Sequence, residues 1–334
     1  MKISIITLGC KVNQAESASL ERRVSETGHT LVNVDADAYI VNTCAVTAEA
    51  ARKSRQAIRK VQAHGKPVYV AGCYPKIDKT EMETLGVTPL ELSPLSELLS
   101  SSGEAGGKPA KRSRALLKIQ DGCENYCSYC IIPFARGRCK SLPIENAVAQ
   151  VERFLSEGVK ETIITGIEIA SYGKDLPEKP DLSEIVREIA AKVPKMRLQL
   201  GSLEPRVITR EFCEAIQGKV VGKFHLSLQS GCDSVLRRMN RRYDTARFTD
   251  SVTLLREFFP GAFLSADVIV GFPGETDAEF NTGVEFVRSC GFDHLHVFPY
   301  SPRPGTKAAE MDGQIDKSVK KARAELMRGA EKPV

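Results

Sequence analysis

Short β-rich runs alternate with longer helical stretches along nearly the whole chain, and this alternation restricts the possible fold more than any other feature. In the first hundred residues the helical stretches are Ala15–Thr27 and Ala48–Ala63. The β-rich runs around them are Lys2–Thr7, Ala38–Asn42 and Pro67–Ala71. Strands that alternate with helices pair in parallel through helical crossovers. The pattern therefore predicts an α/β domain over residues 1–100, a three-layer βαβ unit of the flavodoxin-like type.

The alternation stops at residues 99–114, which read LSSSGEAGGKPAKRSR. The segment is rich in Ser, Gly and Lys and has no apolar periodicity, which is typical of linkers and loops. We predict a linker over residues 101–114.

A second domain is predicted over residues 115–310, where the alternation resumes with longer helices. Its candidate strands are Leu116–Gln120, Glu161–Thr165, Arg197–Gly201, Phe224–Leu228, Leu264–Val270 and His294–Phe298. Its helical stretches include Ile144–Glu157, Leu182–Lys192, Ala246–Phe258 and Asp277–Ser289. Six such units predict an open, partial (β/α)6 barrel, with its chemistry at the carboxyl ends of the strands. One charged helix, Lys317–Gly329, is predicted within residues 311–334.

Composition places the chain among water-soluble globular proteins, with 42% hydrophobic and 27% charged residues. No apolar run approaches the roughly 20 residues of a membrane span, and the run at Ile3–Leu8 has no cleavage site after it. We therefore expect a cytoplasmic protein with no membrane association. The ten cysteines would stay reduced there, which favours metal binding over disulfides for any that cluster.

The strongest chemical signal is a Cys-x3-Cys-x2-Cys motif formed by Cys123, Cys127 and Cys130 just after a predicted strand. Three thiolates on one loop can hold three irons of a 4Fe–4S cube and leave the fourth iron open. The amino and carboxylate groups of S-adenosylmethionine (SAM) can chelate that open iron. The alternative is a zinc knuckle whose fourth ligand comes from elsewhere, although structural zinc sites usually have four protein ligands.

The chain resembles the radical-SAM methylthiotransferases from residue 3 to about residue 309. The matching segments are TLGCKVNQAES at 7–17, VNTCAVTAEAARKSRQAIRK at 41–60, GCYP at 72–75, DGCENYCSYCIIPFARG at 121–137, TGIEIASYG at 165–173, GSLEP at 201–205, HLSLQSGCDSVLRRMNRRY at 225–243, DVIVGFPGET at 267–276 and HVFPYSPRPGT at 296–306. The LGCKVNQ and KSRQAIRK segments are most similar to the branch that acts on threonylcarbamoyladenosine in tRNA.

The resemblance implies two 4Fe–4S clusters, with SAM bound at the one on Cys123, Cys127 and Cys130. The second, auxiliary cluster would be held by Cys10, Cys44 and Cys73. A lone Cys at such a position is by default a small buried hydrophobe, but all three follow predicted parallel strands and can converge. Asn13 and Asn42 are candidates to orient that site.

The resemblance also assigns residues at the predicted barrel mouth to the cofactor. We expect contacts to SAM from Tyr129, Gly166, Ser202, Glu204, Gln229 and Val270. Tyr129 could instead pack against the barrel mouth, and the others could be ordinary turn residues of a barrel rim. Glu168 stands where relatives would have His or Asn. Cys139, Cys213, Cys232 and Cys290 lack ligand spacing and are taken as structural.

The implied function is transfer of a methylthio group to carbon 2 of N6-threonylcarbamoyladenosine beside the tRNA anticodon, with electrons from a donor such as flavodoxin or ferredoxin. The net charge is +5, and Arg52, Arg55 and Arg59 share one face of a predicted helix that could contact RNA phosphates, although most such charge runs are solvated surface. Family members usually continue into an RNA-binding TRAM domain, which we expect to be absent here. The alternatives are another modified adenosine, a protein substrate, or a non-catalytic iron–sulphur redox protein.

Overall fold

The computed structural model describes residues 1–99 and 113–332, which form two compact units. The first unit contains residues 1–99 together with Phe134–Gly137, and the second contains residues 113–133 and 138–332. The predicted linker lies outside the described residues, apart from its last two positions.

The first unit is built on a five-stranded sheet in which every pairing is parallel. Its strands are β1 (Lys2–Thr7), β2 (Thr30–Leu31), β3 (Ala38–Thr43), β4 (Val68–Gly72) and β5 (Thr88–Pro89). Their spatial order is β2-β1-β3-β4-β5. This is the flavodoxin-like order, and it confirms the predicted fold of this unit. The direction of winding reverses between β1 and β3, where such folds gather ligands.

Helices lie between and after the strands of the first unit along the chain. They are α1 (Lys11–Glu26), α2 (Ala48–Gln62), α3 (Tyr74–Ile77), α4 (Lys79–Thr84) and α5 (Pro94–Leu98). Helix α1 begins directly after Cys10, so the predicted start at Ala15 was one turn late. The first turn was missed because Lys11–Gln14 carries only one apolar residue. Helix α2 is capped by Thr47, whose side chain accepts a hydrogen bond from the Ala50 amide at 3.1 Å.

The second unit contains two four-stranded sheets, ordered β7-β6-β8-β9 and β10-β11-β12-β13. Its strands are β6 (Arg114–Asp121), β7 (Lys140–Ser141), β8 (Glu161–Gly166), β9 (Arg197–Leu200), β10 (Ser202–Leu203), β11 (Lys223–Gln229), β12 (Phe263–Val270) and β13 (His294–Pro299). All pairings are parallel except that of β6 with β7. The chain passes from one sheet to the other at Gly201, and a single bridge between Leu198 and Val220 also links them. Six long parallel strands in this arrangement agree with the predicted partial barrel.

Helix α6 (Ile132–Arg136) contains residues of both units, since Phe134–Gly137 belong to the first. The other helices of the second unit are α7 (Ile144–Ser156), α8 (Leu182–Lys192), α9 (Arg210–Ile216), α10 (Asp233–Arg238), α11 (Thr245–Phe258), α12 (Asp277–Cys290), α13 (Lys307–Glu310) and α14 (Lys317–Arg328). The main core forms where alternate strand residues such as Phe224, Leu226 and Leu228 pack against them. No helix of the described residues combines the length and apolar character needed to cross a lipid bilayer.

Candidate iron–sulphur sites

Three cysteines lie at one edge of the first sheet. Cys10 follows β1, Cys44 follows β3 and Cys73 follows β4, and β3 pairs with both β1 and β4. Because the strands are parallel, their carboxyl ends meet at this edge. All three cysteines are free thiols; Cys10 is exposed, whereas Cys44 and Cys73 are buried.

Glycines before two of these cysteines allow the chain segments to come close together. Gly9 has φ +102°, and a Cβ there would lie 2.7 Å from Cys44 Cβ. Gly72 has φ +89°, and a Cβ there would lie 2.3 Å from the Thr43 carbonyl oxygen. A side chain at either position would clash and would also be strained at positive φ. The Gly-Cys pairs in the sequence are therefore requirements of the backbone at this edge.

Two asparagines hold the ends of β1 and β3 together. The buried Asn13 Nδ2 donates to the carbonyl oxygens of Leu8 (2.9 Å) and Thr43 (2.8 Å). Asn42 Nδ2 donates to the Asn13 carbonyl oxygen at 2.8 Å and to Ser17 Oγ at 3.0 Å. Asn13 Oδ1 also accepts from the Cys10 thiol, 3.6 Å away. The asparagines thus order the loop ends that carry the cysteines.

The thiols at this edge influence one another's pKa values electrostatically. Burial raises the pKa of the Cys73 thiol to about 11, with further upward contributions from Cys44 and Cys10. Burial likewise raises the pKa of Cys44, and Cys10 adds to the effect. Arg136 opposes the shift in both cases. Without a metal the buried thiols are therefore neutral, and cluster assembly here must release protons.

In the second unit, the Cys-x3-Cys-x2-Cys loop begins where β6 ends. Gly122 has φ +70°, and the buried Gln120 Nε2 donates to the carbonyl oxygens of Asp121 and Gly122, both at 2.7 Å. Tyr126 in the middle of the loop also has a positive φ, +47°. The Cys130 amide donates to the Cys127 carbonyl oxygen at 2.9 Å and closes the turn.

The segment after α10 fixes the other side of this loop. The Ser128 amide donates to the Met239 carbonyl oxygen at 3.0 Å, and its hydroxyl donates to the Arg238 carbonyl oxygen at 2.8 Å. Asn240 Nδ2 donates to the Tyr126 carbonyl oxygen at 2.9 Å. These bonds set the loop conformation from a part of the chain more than a hundred residues away.

Arg241 brings a positive charge to the cysteine loop. Its Nη1 donates to Cys127 Sγ at 3.1 Å, and its guanidinium lies 4.8 Å from the centre of the Tyr243 ring. Among the described side chains, Arg241 Nη2 is one of a few buried polar atoms without a hydrogen-bond partner. A buried donor beside a thiolate fits an anionic group held there, such as a cluster or a carboxylate.

Acidic side chains lie near the same loop. Asn125 Nδ2 donates to Glu168 Oε2 at 3.3 Å, and the Glu168 amide donates to Gln120 Oε1 at 2.8 Å. Burial, assisted by the charge of Glu204, raises the pKa of Glu168 to about 7. Glu204 itself is buried and pairs with Arg206 at 2.8 Å. Two carboxyl groups in such surroundings suit a ligand that carries positive charge, as the ammonium and sulphonium groups of SAM do.

The donor sets fit two clusters. Burial raises the pKa of Cys123 to about 11 and that of Cys130 to about 12, and both thiols feel the charge of Cys127. The cysteines of one triad share a sheet edge and those of the other share a loop, and three thiolates match a cube with one open iron.

Known proteins match the chain in both units. Residues 117–287 match the Radical SAM superfamily, and residues 2–88 match a family described as "Uncharacterized protein family UPF0004". The chain is 35% identical to the threonylcarbamoyladenosine tRNA methylthiotransferase MtaB of Bacillus subtilis, over 96% of this chain and 78% of that protein. The chain belongs to the radical-SAM methylthiotransferases.

A second branch of this methylthiotransferase family is almost as similar. The tRNA-2-methylthio-N(6)-dimethylallyladenosine synthase of Fusobacterium nucleatum is 32% identical over 98% of this chain and 82% of that protein. Among solved structures, the radical SAM methyltransferase TsrM from Kitasatospora setae matches with a TM-score of 0.66 and 14% identity, covering 92% of this chain and 77% of that one. At this identity the structural match concerns the fold alone.

Methylthiotransferases of this kind use SAM and carry two 4Fe–4S clusters. The residues expected to contact SAM lie at the ends of several strands of the second unit. Gly166 ends β8, Gln229 (φ +66°) ends β11, and Val270 ends β12. The Val270 side chain packs in the core and its carbonyl oxygen accepts from the Tyr300 amide at 2.8 Å, so only its backbone can face a ligand.

The other expected SAM contacts have different surroundings. Ser202 begins β10 and its hydroxyl lies 2.9 Å from that of Ser227. Tyr129 is partly buried and packs against a small cluster that includes Phe272 and Tyr300. Direct contact of these side chains with the cofactor stays a prediction. The four cysteines without ligand spacing, Cys139, Cys213, Cys232 and Cys290, are all buried.

Two arginines of the methylthiotransferase sites were not anticipated. The sequence analysis assigns neither Arg241 nor Arg136 to a cysteine site. Both donate hydrogen bonds to cysteine sulphurs, Arg241 to Cys127 and Arg136 to Cys73. These partners are 114 and 63 residues apart in the chain, and no local spacing signals such a pair.

The predicted RNA-contacting arginines lie on α2. Arg52 forms two hydrogen bonds with Glu49 at 2.8 and 2.6 Å, so part of its charge is already balanced. Arg55 donates to the Tyr74 hydroxyl at 2.9 Å and lies 3.5 Å from Glu81. Arg59 lies in the last turn of the helix. Their contact with RNA stays a prediction.

Proposed function

We propose that this chain adds a methylthio group to carbon 2 of N6-threonylcarbamoyladenosine beside the anticodon of tRNA. The observation that carries the proposal is the presence of two separate cysteine triads, each at the carboxyl edge of a parallel sheet. One triad on a single loop suffices for SAM cleavage alone. A second triad at the β1/β3 switch point supports a further cluster, which sulphur insertion requires.

The sequence supports this branch of the family. The segments LGCKVNQ at 8–14 and KSRQAIRK at 53–60 are typical of the threonylcarbamoyladenosine branch. Relatives carrying that name from Bacillus subtilis and Thermotoga maritima are 35% and 33% identical to this chain.

The face of β11–β13 that is turned away from the main core also supports a polar substrate. His225 Nε2 lies 3.0 Å from Asp267 Oδ2, and its Nδ1 lies 2.9 Å from Ser265 Oγ. The His296 ring packs edge-on against His225, with centroids 5.1 Å apart. Such a surface can hydrogen-bond the carboxylate and hydroxyl of a threonylcarbamoyl group, whereas an apolar prenyl group gains little from it.

The protein residues have separable tasks in this reaction. When bound, the clusters supply the electron that cleaves SAM to a deoxyadenosyl radical and the sulphur that joins the substrate carbon. Cys123, Cys127 and Cys130 would hold the first cluster and leave one iron for SAM. Arg241 places positive charge beside Cys127 and so balances the charge of that site.

The remaining groups orient reactants or hold the second cluster. Glu168 and Glu204 would face the cationic groups of SAM. Cys10, Cys44 and Cys73 would hold the auxiliary cluster. The arginine side of α2 would bind the tRNA backbone through Arg52, Arg55 and Arg59, and binding through phosphates would weaken as the salt concentration rises.

A second candidate substrate is N6-dimethylallyladenosine. It is favoured by the Fusobacterium nucleatum relative, whose identity is only a few per cent lower. The two substrates share the reacting carbon and differ in the N6 substituent. The polar groups on β11 and β12 favour the threonylcarbamoyl group.

Mass spectrometry of tRNA nucleosides tests the proposal. The full chain is expressed in a bacterial strain that lacks its own methylthiotransferases but still makes both modified adenosines. We expect the 2-methylthio form of threonylcarbamoyladenosine, and none in a matched strain expressing Cys123→Ala. Methylthio-dimethylallyladenosine alone would select the second candidate. Unmodified tRNA together with a methylthiolated protein would reject both.

A further inference from the structure

Arg136 of the first unit contacts the auxiliary cysteine site, although it belongs to neither cysteine motif. Its guanidinium is almost fully buried, with 6% of the side chain exposed. Nε donates to Cys73 Sγ at 3.2 Å, Nη2 donates to Asn13 Oδ1 at 3.0 Å, and Nη1 donates to Glu16 Oε1 at 2.6 Å. All three nitrogens are therefore directed at named groups.

These contacts form one connected network at the auxiliary site. Glu16 binds the arginine with both oxygens, since Nη2 also donates to Glu16 Oε2 at 3.1 Å. Asn13, which accepts from Arg136, also accepts from the Cys10 thiol at 3.6 Å. Arg136 is thereby linked directly to Cys73 and through one amide to Cys10. Lysine could not reproduce this, because a single ammonium lacks the planar fork that addresses three directions.

We propose that Arg136 is a positioning residue that sets the reduction potential of the auxiliary cluster, with Glu16 as its counter-ion. This inference rests on the proposed two-cluster function. Hydrogen bonds and positive charge at cluster sulphurs stabilise the reduced, more negative state and raise the potential. Glu16 attenuates the effect, because its negative charge lies within hydrogen-bond distance of the same guanidinium. The two partners of this ion pair should therefore act on the potential with opposite signs.

The potential set by Arg136 would determine whether the auxiliary cluster is oxidised or reduced. An electron delivered to the chain can reduce either cluster, and their relative potentials decide where it resides. Arg136 belongs to the first unit although it follows Cys130 by only six residues in the sequence. The short segment after the radical-cluster motif thus supplies a ligand-contacting side chain to the other cluster site.

The experiment uses the full chain with Cys123, Cys127 and Cys130 changed to Ala, so that only the auxiliary cluster contributes a signal. Its reduction is followed by electron paramagnetic resonance during a redox titration. Arg136→Met removes the charge and the donors at similar length, and Glu16→Gln removes the counter-ion. Arg210→Met is the matched control, because Arg210 forms an exposed two-bond pair with Glu257 at 2.7 and 2.9 Å.

We expect Arg136→Met to make reduction at least tenfold less favourable, about 59 mV more negative for a one-electron couple. Glu16→Gln should shift the potential in the positive direction, and Arg210→Met should leave it unchanged. If Arg136→Met assembles no cluster, Glu16→Gln carries the test alone, since it retains Arg136. An unchanged potential in Glu16→Gln, or shifts of the same sign in both variants, would overturn the inference.

The same experiment separates this inference from the proposed function. A parent chain that assembles no cluster on Cys10, Cys44 and Cys73 contradicts the two-cluster function itself. A cluster that assembles normally but has a potential independent of Arg136 and Glu16 overturns only the role of these residues.

Discussion

The six cysteines proposed as cluster ligands divide into two triads that depend on different parts of the sequence. Cys123, Cys127 and Cys130 lie on one loop, so their convergence is nearly local. Cys10, Cys44 and Cys73 follow three different strands and converge only in the folded sheet. Single substitutions should therefore separate the two chemical roles.

The first prediction concerns these roles. Cys123→Ala should abolish dithionite-dependent formation of deoxyadenosine, because the radical cluster loses one of its three ligands. Cys10→Ala should retain most deoxyadenosine formation and lose methylthiolated product. Both quantities are measured by chromatography and mass spectrometry of the same anaerobic reaction. Deoxyadenosine formed by Cys123→Ala at the normal rate would contradict the assignment of the loop.

Glu168 gives a prediction that depends on pH. Its pKa rises from 4.5 to about 7 in the folded protein, mainly through burial. Between these values the folded protein keeps a proton that the unfolded chain has lost, so the free energy of unfolding falls as pH rises. In cluster-free protein, Glu168→Gln should raise stability by about 1–3 kcal/mol at pH 8 and have little effect at pH 4.

Urea unfolding at the two pH values measures this difference. Glu211→Gln is the control, because Glu211 is fully exposed and its pKa is lowered rather than raised. Equal effects of Glu168→Gln at pH 4 and pH 8 would show that folding does not raise the pKa of Glu168.

At the scale of elements, the strand ends of the first unit depend on glycine. Gly72 and Gly65 both have positive φ, +89° and +65°, but a Cβ at Gly65 would meet nothing within 4 Å. Gly65→Ala should therefore cost only the conformational strain, about 1–2 kcal/mol. Gly72→Ala should cost more and should also displace Cys73, so that the auxiliary cluster is lost.

Urea unfolding and iron content measure the two effects of these substitutions. Gly72→Ala should lower iron by about half, since one of two 4Fe–4S clusters is lost. Full iron content in Gly72→Ala would show that the backbone at Gly72 and Thr43 can move apart without loss of the auxiliary cluster.

The last helix, α14, is held to the loop after β12 by a buried ion pair. Arg323 Nη1 lies 2.8 Å from Glu275 Oε2, and the two side chains are 8% and 4% exposed. The same Glu275 oxygen accepts from the Gly271 amide at 2.7 Å. Removal of one partner leaves a buried charge, so Arg323→Ala should destabilise the protein by about 3–5 kcal/mol.

A matched exposed pair provides the comparison. Arg288 lies 2.7 Å from Glu285 on α12, and both side chains are more than half exposed. Arg288→Ala should change the free energy of unfolding by less than about 1 kcal/mol. Similar losses for Arg323→Ala and Arg288→Ala in urea unfolding would show that α14 contributes little to the second unit.

At the scale of the whole molecule, the predictable features were those with a local pattern. Strand–helix alternation predicted the parallel sheets of both units, and the loop motif predicted where the radical cluster would bind. The gathering of Cys10, Cys44 and Cys73 followed from their shared position after parallel strands. Each of these arguments needs only residues that are close in sequence or equivalent in a repeated unit.

Other features were beyond sequence reasoning because they join distant segments. The crowding of Gly72 against Thr43 depends on the register of two strands. Arg136 and Arg241 each reach a cysteine across many intervening residues, and isolated arginines in a basic chain look like surface charge. The passage from β9 to β10 at Gly201 also has no pattern of its own, since it changes sheets within one extended run.

The central claim is that the chain holds two 4Fe–4S clusters, each bound by three thiolates, one of which binds SAM at its open iron. Mössbauer spectroscopy of the full chain reconstituted with 57Fe tests it most directly. We expect the signals of two such clusters, and addition of SAM should change about one quarter of the iron of one cluster. Spectra showing every iron already bound by protein ligands, with no change on addition of SAM, would contradict the account.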